Sequence, residues 1–249
     1  MFSFFKKKKQ EEEEDAFFHA LPIVADMHNH LLPGLDDGAA TVEESLEMIK
    51  GFVNMGFKKI TMTPHIMHNF YDNDTDTIMP ALEMMRGIVK DAGLTVELSA
   101  AAEYYYDEVF FRKLSNKEPL LSFGDGKYVL FETAFPSEPM NIKEGIRLIQ
   151  SQDIFPVYAH PERYQYIQND FNKAKALFAT GVLFQINAMS LVGQYGKAPQ
   201  VIAEKLIDND MVHFIGSDCH KPVHLIEYQK ARRTKHYLKA LDSNLYNQY

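Results

Sequence analysis

The chain has 249 residues, 46% hydrophobic and 24% charged, which is enough for the sizeable core of a globular α/β domain. Thirty-four acidic residues against 26 basic ones leave a net charge of −8, which argues against nucleic acid as the main partner, since backbone phosphates need a concentrated positive face. One cysteine cannot form an internal disulfide and points to a reducing, cytoplasmic location, and no apolar run approaches the ~20 residues of a membrane helix, so no transmembrane segment is expected.

Residues 1–20 read as a mobile charged leader: three phenylalanines, then lysines at 6–9, then the acidic block 11–15. The lysines follow the aromatics, and no long apolar core or cleavage site comes after them, so this is not a signal peptide. A competing reading is weak contact with a membrane surface through the phenylalanines and lysines, which the adjacent acids oppose. One barrel domain is expected over residues 21–249. Residues 23–30 form its first strand. Thr41, with Glu44 three residues on, starts a helix whose apolar stripe is Val42, Leu46, Ile49 and Val53. A second strand over 59–65 leads to a helix over 78–89. A third strand over 96–103 is followed by a looser aromatic stretch, 104–114. Strands over 128–132, 155–160, 182–187 and 212–218 then alternate with helices over 142–150, 171–178, 201–207 and 226–241. Seven strand–helix units predict a parallel sheet curled into a distorted (β/α)7 version of the TIM barrel, with its site at the carboxyl ends of the strands.

The strand ends carry the chemistry. His28-Asn29-His30 closes the first strand and Asp218-Cys219-His220 the last, and residues i and i+2 of a strand point the same way. His65, Glu103, Glu132 and His160 each end a strand between them, at steps of about 30 residues, the length of one strand–helix unit. With Asp37, the candidate metal ligands are His28, His30, Asp37, His65, Glu103, Glu132, His160, Asp218 and His220. Nine ligands exceed the needs of one ion and suit two or three, with a carboxylate bridging. Mixed imidazole and carboxylate donors fit zinc, manganese or iron. Four carboxylates against three divalent cations leave about +2, which matches a phosphate dianion. Cys219 points away from its neighbours. His19, His68, His213, His224 and His236 read as surface or core residues, and Met48, Met84 and Met85 as core. Asp36 or Asp37 alone reads equally as a turn residue before Gly38, and Arg163 as a loop residue paired with Glu162.

Asp26-Met-His28-Asn-His30, Leu35-Asp36-Asp37-Gly38, Thr63-Pro-His65, Glu103, Phe131-Glu132, His160-Pro-Glu-Arg163 and Gly216-Ser-Asp218-Cys-His220 resemble the PHP (polymerase and histidinol phosphatase) superfamily. Within it the chain is most similar to the CpsB/YwqE-type manganese-dependent protein-tyrosine phosphatases of capsule and exopolysaccharide systems. The resemblance implies three divalent ions, manganese first, with iron or zinc as alternatives. It implies one ion on His28, His30, Glu103 and Asp218, a second on Glu103, Glu132 and His160, and a third on Asp37, His65 and His220. Arg163 matches a family arginine that holds phosphate. A second arginine found after the Asp-x-His motif in some members is missing, and Lys221 and His224 stand there.

The implied reaction is hydrolysis of phosphotyrosine by a metal-activated hydroxide on a phosphotyrosine protein, with a bacterial tyrosine kinase as the expected partner. A cysteine phosphatase places an arginine six residues after its nucleophile, whereas Leu225 stands six after Cys219. Two alternatives stay open: a small-molecule phosphatase such as histidinol phosphatase or an exonuclease, and a non-catalytic metal-binding regulatory module. Met67, Phe70 and Tyr71, with Tyr104–Tyr106, are candidate walls for an aromatic ring, or else pack the barrel rim.

Overall fold

The strands run parallel throughout, and helices supply the returns between them. The computed structural model describes residues 23–243 and 245–247, so the leader over 1–20 and His19 lie outside the described residues. The first half runs β1 (Ala25–Asp26), α1 (Val42–Asn54), β2 (Lys59–Met62), β3 (His65–Ile66), α2 (Thr75–Asp91), β4 (Glu97–Ala100), β5 (Glu103–Tyr105) and α3 (Glu108–Ser115). The second half runs β6 (Tyr128–Glu132), α4 (Ile142–Gln150), β7 (Phe155–Ala159), α5 (Gln165–Asn169), α6 (Phe171–Phe178), β8 (Leu183–Asn187), α7 (Lys197–Asp208), β9 (Phe214–Gly216), α8 (Pro222–Ala231) and α9 (Lys235–Leu241).

Two sheets result, ordered β1-β2-β4 and β3-β5-β6-β7-β8-β9. The expected second and third strands are each broken in two. Pro64 has no N–H to continue the ladder, and its carbonyl instead accepts from Glu103 N at 3.1 Å, so the pairing passes from β2/β4 to β3/β5. A parallel bridge, Asn29 to Cys219, joins the ends of β1 and β9, with Asp218 N donating to His28 O at 2.7 Å and His30 N to Cys219 O at 2.9 Å.

The helices follow from their caps. The Thr41 side chain accepts from Glu44 N and starts α1, while Asp74 and Thr77 form a reciprocal capping box on α2. The α1 stripe is rotated from its expected position. Ser45, Met48, Ile49 and Phe52 are buried, and Val42, Leu46 and Val53 flank them. The larger Phe52 and Met48 take the core, and Ser45 is accommodated by donating to Leu31 O at 2.5 Å. Met84 is 44% exposed, contrary to its reading as core, because the buried stripe of α2 is Ile78, Leu82, Met85 and Val89. The single last helix expected is two, since Thr234 caps a new start at α9. The aromatic stretch after β5 holds a helix, α3, capped by Asp107.

One side of the strands packs against the helices through Phe131, Tyr158, Phe184 and Ile215. The other side gathers in a smaller cluster: Met27, Ala101, Phe123, Leu130, Val157, Ala159, Leu183 and Phe214. Two residues beyond Leu130 on that face is Glu132, and beyond Leu183 come Gln185 and Asn187. The apolar cluster is therefore the floor on which the polar strand ends stand. Phe214→Ala should open a void in that floor and cost about 3–5 kcal/mol in a denaturant titration, whereas the fully exposed Met140→Ala should stay within about 0.5 kcal/mol.

Candidate metal centre

The nine sequence-selected donors come together at the carboxyl ends of the strands. Four overlapping groups have ligand atoms mutually within 4.8 Å: His30, Asp37, His65 and His220; His28, His30 and Glu103; His28, His160 and Asp218; and His65, Glu103 and Glu132. The backbone reaches this arrangement differently from a plain strand. His160 and Asp218 both sit in the left-handed region, at φ 35° and 50°, which turns their side chains back over the sheet. Such a conformation costs on the order of 1–3 kcal/mol for a residue with a side chain.

Hydrogen bonds on the far side of three of the five rings, those of His28, His30 and His220, fix which nitrogen faces the centre. His28 Nδ1 donates to Gln185 Oε1 at 2.8 Å; that amide is oriented because its Nε2 donates to Asn187 Oδ1 at 2.9 Å. His30 Nδ1 donates to Asp36 Oδ2 at 2.6 Å, and His220 Nδ1 to Asp218 O at 2.9 Å. A neutral imidazole that donates from Nδ1 carries its lone pair on Nε2. His28 Nε2 then lies 3.1 Å from Glu103 Oε2 and 3.5 Å from Asp218 Oδ1, and His30 Nε2 lies 3.3 and 3.4 Å from the same two oxygens. These are lone pairs aimed at lone pairs. His28 Nε2, His30 Nε2, His65 Nδ1 and Glu103 Oε2 are buried and have no hydrogen-bond partner. An ion held at about 2.0–2.2 Å by nitrogen and oxygen donors spaces its neighbouring ligands about 3.0–3.5 Å apart. The donor set fits such an ion.

Two further groupings surround the first. Glu103 Oε1 is 3.0 Å from His160 Nε2, which is 3.7 Å from Glu132 Oε2. Asp37 Oδ1 is 3.5 Å from His220 Nε2 and 3.7 Å from His65 Nε2. Glu103, with each oxygen facing a different histidine set, stands between the groups.

The electrostatics answer to the same crowding. Burial opposes charge on His28 and His30, yet Glu103 beside His28 and Asp36 beside His30 lift both above the ordinary imidazole range. Burial would raise Glu103, but His28, His65 and His160 hold it well below the carboxylate range. Glu132 goes the other way, raised well above that range by burial and then by Glu103. Burial lowers His160 to about 4, so this ring is neutral and free to coordinate.

Arg163 belongs to this centre and not to Glu162. Its Nη1 donates to Asp218 Oδ2 at 2.9 Å, and its guanidinium lies between the rings of Phe135 (4.7 Å) and Tyr195 (4.4 Å). Glu162 is buried elsewhere, accepting from Asn187 N at 2.9 Å and Ser190 Oγ at 2.7 Å. Above the donors opens a cleft of about 520 Å³, walled by Arg163, Phe135, Tyr195, Met67, Phe70, Tyr71, Lys221 and His224 among others. Met67, Phe70 and Tyr71 thus line it as expected. Tyr104 and Tyr106 do not: both are buried, Tyr104 stacked on Phe110 and Tyr106 donating to Asn141 O. His224, read as surface or core, is in the cleft wall and accepts from His220 N at 3.2 Å. His68, His213 and His236 stay outside it. Cys219 is buried with Sγ 3.6 Å from Met48 Sδ, and burial pushes its thiol far up, so it offers no thiolate.

Several residues that hold the centre were not among the candidates chosen from the sequence. Gln185 also accepts from His160 N at 3.3 Å, and Asp36 accepts from His65 N and Gly38 N, both at 3.0 Å. Asp26 accepts from Ser217 N, Ser217 Oγ and Asn29 Nδ2, tying the His28 segment to the Asp218 segment. An i, i+2 pair of polar residues inside the buried strand β8 was the available clue to Gln185 and Asn187. Gln185→Ala and Asp36→Ala should each weaken divalent-metal binding about 10–100-fold, read by metal titration of the apoprotein. Unchanged affinity in both would detach these residues from the donors they hold.

Comparison with known proteins gives the chain its family. Residues 24–240 match the family model "Capsular polysaccharide synthesis, CpsB/CapC". The tyrosine-protein phosphatase YwqE of Bacillus subtilis is 33% identical over 197 residues, covering 78% of this chain and 76% of that protein. The tyrosine-protein phosphatase CpsB of Streptococcus pneumoniae is 28% identical over 200 residues, covering 78% and 82%. Solved structures of YwqE and CpsB from these two species, described as unique metal-dependent tyrosine phosphatases, include a chain that superposes with a TM-score of 0.78 at 26% identity, over 90% of this chain and 95% of that one. With most of its length matched, this chain is a member of the CpsB/CapC family.

Proposed function

We propose that the protein is a metal-dependent protein-tyrosine phosphatase. The observation that carries this reading is the pairing of a nine-donor His/Asp/Glu cluster, six of its donors buried, with one arginine fork at its rim, under a cleft open to solvent. The named activities of YwqE and CpsB support it. Three divalent ions would be held by His28, His30, Glu103 and Asp218; by Glu103, Glu132 and His160; and by Asp37, His65 and His220. The imidazole–carboxylate mixture suits manganese, with iron or zinc as alternatives. Bound there, such ions supply Lewis acidity toward phosphate oxygens and lower the pKa of a coordinated water.

The chain's own groups do the rest. Asp218 Oδ2 anchors one arm of Arg163, leaving the other guanidinium N–H groups to bind phosphate oxygens, and Phe135 and Tyr195 hold the plane of the fork. Met67, Phe70 and Tyr71 offer the tyrosine ring an apolar wall; the Tyr71 ring is itself stacked on His65 at 5.5 Å. Tyrosinate, with a pKa of ~10, is a tolerable leaving group, so a strong general acid is not required. Lys221, in the cleft wall where a second arginine is absent, adds positive charge for the phosphate.

We further read residues 21–249 as one catalytic barrel, a distorted (β/α)7 TIM-like form, preceded by the charged leader over 1–20. The split strands count as seven when rejoined, and the Asn29–Cys219 bridge supports closure. A bacterial tyrosine kinase that controls capsule or exopolysaccharide synthesis is the proposed substrate; the family's description supports the link to capsule synthesis. No helix among the described residues is long and apolar enough to cross a membrane, and the lone cysteine suits the cytoplasm, where we place the protein.

Chelation should abolish hydrolysis of phosphotyrosine peptides, and a divalent ion, manganese first, should restore it; full activity in excess chelator would overturn the mechanism. The same assay should rank phosphotyrosine peptides above phosphoserine peptides and histidinol phosphate. Glu103→Ala and Asp218→Ala should lower turnover by orders of magnitude, while the buried Cys219→Ala keeps most of it. Arg163→Lys should cut phosphotyrosine turnover well beyond the roughly fivefold that loss of an exposed ion pair explains, with metal content unchanged. A near-wild-type rate for Arg163→Lys would leave the phosphate to the metals alone.

A further inference from the structure

A second cavity, of about 530 Å³, lies against the metal cleft. Phe135, Arg163 and Tyr195 line both, so these three side chains form the partition between them. The rest of the second cavity is Gln165, Gln168 and the start of α7: Gly196, Lys197, Ala198 and Pro199. Its lining holds two cations, Arg163 and Lys197, and no carboxylate. That is a local excess of positive charge in a chain with a net charge of −8. Lys197 Nζ contacts Gln200 Oε1 at 3.1 Å and meets no carboxylate among the described residues. Gln168 Nε2 is engaged by Glu162 O at 2.9 Å, which fixes that amide against the 3-10 turn carrying Arg163. Both cavities open to solvent and meet at the arginine.

We propose that this second cavity is a subsite for an aspartate or glutamate side chain flanking the phosphotyrosine of the substrate. The inference rests on the tyrosine-phosphatase reading of the neighbouring cleft. Successive residues of an extended peptide lie about 3.3–3.6 Å apart and alternate sides, so a chain delivering its phosphotyrosine to one face of the partition presents nearby side chains to the other. An anion there meets Lys197 and the field of the Arg163 guanidinium, whose faces are taken by Phe135 and Tyr195, and the glutamine amides add neutral donors. A lysine or arginine at the same substrate position meets two like charges. The cavity therefore selects by charge, through attraction of one partner and repulsion of the other. Coulomb attraction between partly exposed groups of this kind is worth about 1 kcal/mol or somewhat more, which is a five- to tenfold preference per site.

The test uses the metal-loaded protein and phosphotyrosine peptides carrying Asp, Ala or Lys in turn at each position from −3 to +3. Wild-type protein should favour Asp over Lys at least fivefold in kcat/KM at one or two of these positions. Lys197→Glu should invert that ratio at the same positions, each variant being its own reference. Affinities for peptides bearing a non-hydrolysable phosphonate in place of the phosphate, measured calorimetrically, should follow the same order and weaken with salt. Turnover without any preference, or a preference that Lys197→Glu leaves intact, would overturn the subsite while leaving the phosphatase standing. If no phosphotyrosine peptide is hydrolysed or bound, the phosphatase reading falls and the subsite with it.

Discussion

Four carboxylates share one small space at the strand ends, three of them buried. At a few ångströms and away from bulk water, their mutual repulsion is large, and the five imidazoles among them relieve it only by taking protons or by binding cations. The directions in which the groups are perturbed express this conflict. Glu103 is held ionised by three histidines while Glu132, next to it, is driven toward its neutral form. Groups so arranged cannot satisfy one another, and protons would compete with any bound divalent ion for the same nitrogens.

Holding such a cluster together needs a rigid frame, and the frame is itself polar. Gln185 and Asn187 rise from β8 to brace His28, His160 and Asp218 at once, since Asn187 Nδ2 donates to Asp218 Oδ2 at 2.6 Å. Asp26 lies beneath the ligands, and its three accepted hydrogen bonds join the two segments carrying His28 and Asp218. Burial pushes this carboxyl up to about 6 even so. Under these polar braces the apolar floor from Met27 to Phe214 keeps water out from below. The strain at His160 and Asp218 is tolerated because both residues are fixed on several sides.

The donor positions were legible in the sequence because parallel strands alternating with helices bring a strand end, and a donor with it, at a regular interval. His28-Asn29-His30 and Asp218-Cys219-His220 announced themselves by spacing, although Asp218 achieves its direction through a positive φ and not through an extended strand. The braces were not legible. Gln185 in Leu183–Asn187 looks like any polar residue of a half-exposed strand until β8 proves buried on both faces. Asp36 and Asp37 are neighbours of the same type, and only the backbone turn to Gly38 separates the inner hydrogen-bond acceptor from the outer donor. Gly38 itself has no room for a side chain, since a Cβ there would lie 2.0 Å from His30 O. The breaks at Pro64 and Thr234 have local causes, a missing N–H and a side-chain cap, whereas the inward packing of Tyr104 and Tyr106 depends on neighbours distant in the chain, such as Leu121 and Asn141, which local pattern does not record.

The bridge between Asn29 and Cys219 brings together the ends of the first and last strands to be synthesised. A growing chain exposes His28 and His30 early, and for most of its synthesis these two have no Asp218 or His220 to face. Only a chain finished through the last strand assembles the full donor set. A fragment halted before β9 lacks Asp218 and His220 and so cannot close the groups that these two complete.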